Sequence, residues 1–377
     1  MGSTVAADTF LLLSGLLTSY GALLSRMREQ NLYIFKFYLH RFVRLMPLLS
    51  LMVVTYTTIL KHLGSGPIWN MQVDPLFQSC QNYWWSTLLN IQNYINPSEM
   101  CIPETWYVAV IIQLHLLSPI ILIPLVKYPT IGITFAGILI ICSITSSFVV
   151  GWIYDLYGFP VINFMKGTSD NYLSHYYFAT HTRATPYFFG IILGYIIFEV
   201  KHNHKQIYIS KFTSLLLWII SITALNACLF MFTITTYECY NKFANSIHLA
   251  LLRPGWALGV SWVVLACVIE RGGSVNWFLS LPVFQIISKL TYGMYLTNRT
   301  MIIVISAQTR TLPYLNNFGM LYGFWGDFAY SFGISIIATL GFEMPIRVLI
   351  EEFIFSNRGK KVIRTKKICE IDTTTII

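Results

Sequence analysis

A chain of 377 residues that is 55% hydrophobic, 16% aromatic and only 11% charged is excluded from the water-soluble class, where about 25% of residues are charged. Its 25 Lys and Arg against 16 Asp and Glu give a net charge of +9, yet the basic residues cluster in connectors between apolar runs and do not form a nucleic-acid stripe. The remaining class is an all-α polytopic membrane protein: backbone amides in hydrocarbon must pair within their own segment, and the apolar runs are continuous where a barrel would alternate.

Windows of about 20 apolar residues predict nine spans, at 7–25, 44–62, 105–126, 130–152, 184–200, 212–234, 248–269, 282–306 and 323–345. The chain starts without a basic n-region, and Asp8 interrupts the first apolar run, so no cleaved signal peptide is expected. Asp8 reads as an acid satisfying free amides at a helix start, and Ser14-Gly15-Leu16 as a small-residue packing surface; each is also a polar site candidate.

The next stretch, KFYLHRFVRLMP from Lys36 to Pro47, sets Arg41 and Arg44 three residues apart, on one face of a helix entering the bilayer. Two readings stand. The pair is either a cytoplasmic anchor, or a clamp whose guanidiniums grip a phosphate or carboxylate through paired hydrogen bonds. With this connector cytoplasmic, most of the 25 basic residues fall on one side, and an odd number of spans places the N-terminus outside and the C-terminus inside.

The loop from Leu63 to Glu104 then lies outside, in an oxidising compartment, and predicts a Cys80–Cys101 disulfide with Cys239 left over. No Cys or His pair has metal-ligand spacing, and no metal site or bound cofactor is expected. Arg183 and Arg253 stand at outside ends of spans against the charge rule, as site or ion-pair residues. The run from Leu252 to Gly259, LRPGWALG, reads as a broken helix of the kind that marks transporter sites, and Glu343 as an acid at a span terminus. The residues from 357 to 377 form a basic cytoplasmic tail suited to acidic headgroups.

Several blocks recur in a familiar order. They are Asp8-Thr9-Phe10 with Leu13-Ser14-Gly15-Leu16; Arg41, Arg44 and Pro47; Tyr83-Trp84-Trp85; Trp106-Tyr107 with Gln113 and Leu117-Ser118-Pro119. Then follow Arg183 with Pro186-Tyr187, Arg253-Pro254 with Trp256, Gly272-Gly273, Leu290-Thr291-Tyr292 with Tyr295-Leu296, and Glu343 with Pro345. This succession resembles acyltransferase family 3, and more narrowly its nose resistant to fluoxetine group, across residues 1–356, which read as one membrane domain.

The resemblance implies a core of about ten helices that moves an acyl group from an acyl-CoA-type donor, a co-substrate, to a hydroxyl on a lipid, sugar or other small acceptor. It implies a donor-phosphate role for Arg41 and Arg44. It also implies an arginine and a general-base histidine on a first core helix that has no counterpart here, so nine spans read as ten minus one, an N-terminally truncated chain. Two positions depart from the pattern: Ile111 stands where an acid is expected after Trp106-Tyr107, and Asn298 stands where histidine ends the Tyr-Leu block. Asparagine hydrogen-bonds without shuttling a proton.

Two functions therefore stand. One is a multi-pass O-acyltransferase of the plasma membrane or endoplasmic reticulum. The other is a non-catalytic relative that transports or presents lipids or hydrophobic small molecules. The expected partners are membrane lipids and a hydrophobic or hydroxylated substrate, not nucleic acid.

Overall fold

The computed structural model describes residues 3–29, 34–158, 160–202, 208–237, 241–311 and 316–355; the predicted tail at 357–377 and Cys239 lie outside the described residues. The described residues are helical, without strands. The long helices are α1 (Ser3–Glu29), α2 (Ile34–Val54), α3 (Trp69–Leu88), α4 (Trp106–Lys127), α5 (Pro129–Ile153) and α6 (Thr180–His202). They continue with α7 (Lys211–Tyr237), α8 (Lys242–Val268), α9 (Pro282–Gln308), α10 (Asn317–Ala338) and α11 (Met344–Phe355).

Among the described residues, eight segments are long and apolar enough to cross a membrane: Val5–Met27, Ile34–His62, Pro103–Lys127, Pro129–Ile153, Ser169–His202, Lys211–Phe230, Lys242–Val268 and Asn317–Ile350. They contain or largely overlap eight of the nine predicted spans, and the chain is an integral multi-pass membrane protein. The ninth, 282–306, is also one continuous helix, α9, made less apolar by Lys289, Thr297, Asn298, Arg299 and Thr300.

Two expectations change. The predicted outside loop 63–104 is not irregular: it holds α3, bent at Tyr83 (φ −124°, ψ 20°). The Leu252–Gly259 run does not break its helix: α8 continues uninterrupted through Pro254. The one hydrogen bond lost there is the kind neighbouring helices tolerate. Irregularity appears instead as three π-helical turns, Thr55–Ile59, Tyr172–Tyr177 and Thr339–Glu343, none of which has a hydrophobic-pattern signal.

Local chemistry sets several boundaries. Asn241 caps α8, its side-chain oxygen accepting from the amides of Phe243 and Ala244, and prolines open α5 and α9, where an N–H would have no helical partner anyway. Helices α3, α5 and α8 end on non-glycine residues in the left-handed region, Asn90 (φ 57°), Asp155 (φ 55°) and Glu270 (φ 60°). The amides that follow close back on carbonyls five residues earlier, Ile91 to Ser86, Leu156 to Gly151 and Arg271 to Ala266. Glutamate gains nothing from that conformation, so Glu270→Gly is expected to raise stability by about 0.5–1 kcal/mol, read as a higher Tm.

The chain forms two compact units: Met1–Tyr38 with Ala109–Asn276, and Leu39–Val108 with Trp277–Ile377. In the first, α6 is the central helix, packed by α1, α5 and α8. It is buried around most of its circumference, from Thr180 to Phe198, as a helix without a polar stripe must be. Its contact with α1 is close because Gly15, Gly190 and Gly194 present no side chain. A Cβ at Gly15 would lie 2.1 Å from the Tyr187 carbonyl oxygen, and one at Gly190 would lie 2.0 Å from that of Leu12. Ser14, buried beside this seam, belongs to a packing surface, and its carbonyl accepts from the Thr18 hydroxyl at 2.7 Å. In the second unit α9 packs on α10 and α3, and Cys80 is bonded to Cys101.

Candidate functional site

The second unit gathers charge where α2 begins its apolar run. Arg44 is exposed and Arg41 half-buried, and Arg44 lies within electrostatic reach of Arg41, Arg347 and Glu343. Glu343 ends the π turn Thr339–Glu343, and Arg347 follows four residues later on α11, the spacing that sets an acid beside a base on one helix face. Tyr292 closes the group: its hydroxyl donates to the Leu45 carbonyl at 2.9 Å and lies within electrostatic reach of Glu343, Arg41 and Arg44. Three guanidiniums against one carboxylate leave an excess of two positive charges. This group can take a polyanion through charge-assisted hydrogen bonds.

A second polar group in the same unit lies around α9. Arg299 Nε stands 2.8 Å from Glu104 Oε1, the Tyr295 hydroxyl donates to the Glu104 carbonyl at 2.6 Å, and Tyr295 meets Tyr107 edge to face at 5.5 Å. Tyr56, fully buried in the π turn Thr55–Ile59, shares a 2.8 Å hydrogen bond with Thr300. Asn298 does not join these groups. It is exposed, and its side-chain oxygen accepts from the Ser331 hydroxyl of α10 at 3.4 Å.

The first unit holds a buried charged centre. Arg183 Nη1 donates to Asp8 Oδ1 at 2.9 Å, with both side chains 1% exposed. Arg183 Nε donates to the Tyr177 carbonyl at 2.9 Å, and the guanidinium lies over the Tyr177 ring. Arg253, 2% exposed, repeats the arrangement one residue earlier: Nη2 donates to the Tyr176 carbonyl at 3.0 Å and the guanidinium lies 4.1 Å from the Tyr176 ring centroid. The Tyr176 hydroxyl in turn donates to the Leu249 carbonyl at 2.8 Å. The π turn Tyr172–Tyr177 is what offers consecutive carbonyls and rings to two arginines.

Asp8 is therefore not the helix-start acid of the sequence reading. It lies inside α1 and is the counter-ion of Arg183, because a buried guanidinium demands a carboxylate more strongly than free amides near water do. Gln113, in the same unit, accepts a short hydrogen bond from the Thr180 hydroxyl at the start of α6. Trp256 Nε1 donates to Thr9 Oγ1 at 2.8 Å, beside Asp8 in sequence.

Several of these residues escape sequence reasoning. Arg347 reads there only as one more basic residue after the last span, Glu104 only as the end of a loop, and Arg299 carries no signal of its own. The signal for Arg347 is its four-residue spacing from Glu343; for Tyr176 and Tyr177 no local pattern exists.

The model described as "Acyltransferase domain" (Acyl_transf_3) matches residues 1–344. The chain is similar to "Nose resistant to fluoxetine protein 6" of Caenorhabditis elegans, 24% identical over 386 residues that cover 94% of this chain and 45% of that protein. It is similar to "Regulator of hypoxia-inducible factor 1" of the same organism, 25% identical, covering 83% of this chain and 62% of that one. It is also similar to a "Putative O-acetyltransferase" of Staphylococcus aureus (strain COL), 25% identical, covering 78% of this chain and 45% of that one. The chain thus spans about half the length of these curated relatives. No solved structure matches it. With its domain model matched from residue 1 to residue 344, the chain belongs to acyltransferase family 3.

Proposed function

We propose that this chain is the membrane core of an O-acyltransferase that passes an acyl group from an acyl-CoA-type donor to a hydroxyl of a lipid or small-molecule acceptor. The observation that carries this reading is the excess positive charge of Arg41, Arg44 and Arg347 around Glu343. In this role Arg41 and Arg44 bind the donor's phosphates, and Arg347, adjoining Glu343, adds a third cation. Glu343 keeps the guanidiniums apart and oriented, and the Tyr292 hydroxyl ties α9 to the first carbonyl after Arg44. Such a clamp holds the thioester still while the acceptor oxygen attacks its carbonyl carbon, the C–S bond breaks, and the departing coenzyme sulfur takes up, in net balance, the proton the hydroxyl gives up. The arginine clamp lies on the cytoplasmic side in this reading, where acyl-CoA is supplied.

The test is donor affinity. Arg41→Ala with Arg44→Ala is expected to weaken binding of a non-hydrolysable acyl-CoA analogue about 10- to 100-fold, in keeping with about 1.4–2.8 kcal/mol for lost charge-assisted bonds in a partly exposed site. Binding of dephospho analogues should fall less. Unchanged affinity for the full analogue would return both arginines to topological anchors and would favour the lipid-presenting alternative.

A further inference from the structure

We infer that the buried centre of the first unit is a binding site for one small monovalent anion, held on Arg253. The centre contains Asp8, Arg183 and Arg253, all at most 2% exposed, so one negative charge faces two positive ones. Among the described residues, Arg183 is the one that bonds Asp8 directly. No other acid of the unit's described side chains compensates Arg253: Asp155 pairs with Lys242 at the surface, and Asp170 and Glu270 are exposed. Glu199 lies 16 residues beyond Arg183 on α6, about 24 Å along the helix.

The hydrogen bonds show the same deficit. Arg253 spends Nη2 on the Tyr176 carbonyl, while its Nη1, also buried, has no hydrogen-bond partner among the described residues. The Tyr176 ring attracts the guanidinium face but offers no acceptor in its plane. A buried charged donor left without an acceptor is among the costliest arrangements in a fold.

The ligand's class follows from the count. One uncompensated charge asks for one negative charge; a divalent phosphate would overcompensate beside the Asp8 carboxylate, whose buried Oδ2 has no hydrogen-bond partner among the described residues. With Arg253 only 2% exposed, burial disfavours a large ligand and favours a group of few atoms. Chloride and a terminal carboxylate share this chemistry.

The experiment uses the full chain in detergent, with Tm measured at fixed ionic strength in potassium chloride, potassium formate and potassium gluconate. For the native protein, chloride or formate is expected to raise Tm by about 2–4 °C over gluconate, saturating as the ion replaces gluconate. A rise in chloride alone identifies a halide site, and a rise in formate alone a carboxylate site. In Arg253→Gln the three salts should give the same Tm. Should that variant not fold, the saturating dependence of the native protein decides alone. A native Tm equal in all three salts, a dependence that never saturates, or an unchanged salt difference in Arg253→Gln overturns the inference. Neither outcome bears on donor binding by Arg41 and Arg44, which lie in the other unit.

Discussion

Asp8→Ala is expected to lower stability by about 3–5 kcal/mol, enough to remove most folded protein from a detergent extract. Removing one partner of a buried ion pair costs more than the pair contributes, because the other charge stays in low dielectric without compensation. Here the effect is compounded, since Asp8 is the only buried carboxylate among the described side chains near two buried guanidiniums, Arg183 and Arg253. Asp8→Asn keeps an acceptor for Arg183 Nη1 and loses only the charge, so its loss should be smaller. Replacing both partners together, Asp8→Leu with Arg183→Met, removes the charge problem and should recover much of the deficit, short of the Tyr177 carbonyl that Arg183 Nε now satisfies. Thermal unfolding of the four proteins measures this. A loss for Asp8→Ala no larger than that for Thr18→Ala, which deletes one neutral hydrogen bond, would show that the carboxylate is not the counter-ion.

The membrane helices were legible because hydrophobic thickness is written locally, in runs of about 20 residues. Even the least apolar of them, α9, announced itself through continuous helical composition despite Lys289 and Arg299. What could not be read is where helices are underwound or tied together. The three π turns arise from tertiary fit, yet each positions polar residues: Tyr56 against Thr300, Tyr176 and Tyr177 beneath the two arginines, and Glu343 beside Arg44. How the candidate residues group in space is a tertiary property that their positions along the chain do not carry. Asp8 and Arg183 are 175 positions apart, and no spacing rule joins them. Arg41 and Arg44 are visible as a pair because three residues make a helix face, and Arg347 stands one turn from Glu343; what joins these two pairs with Tyr292 is tertiary, as for Asp8 and Arg183, and has no spacing signal.

Gly190→Leu is expected to cost at least about 3 kcal/mol, and even Gly190→Ala to be clearly destabilising. At Gly190 a Cβ meets the Leu12 carbonyl oxygen at 2.0 Å and the Leu16 amide nitrogen at 2.9 Å, both backbone atoms that no rotamer change can move. Helix α1 must back away from α6, and Gly15, facing the Tyr187 carbonyl across the same seam, shows that the approach is close from both sides. Retreat has a second consequence. Asp8 lies one turn before Leu12, and Arg183 one turn before Tyr187, so widening this crossing lengthens the 2.9 Å bond between them. The glycine seam and the ion pair are then one cooperative element, in which small residues bring the backbones close enough for a short acid to reach its arginine. A double-mutant cycle on Gly190→Ala and Asp8→Ala should show the two losses to be less than additive, because the glycine substitution already weakens the bond that the aspartate substitution deletes. Strictly additive losses would mean that α1 moves without disturbing the pair, and that the close approach serves packing alone.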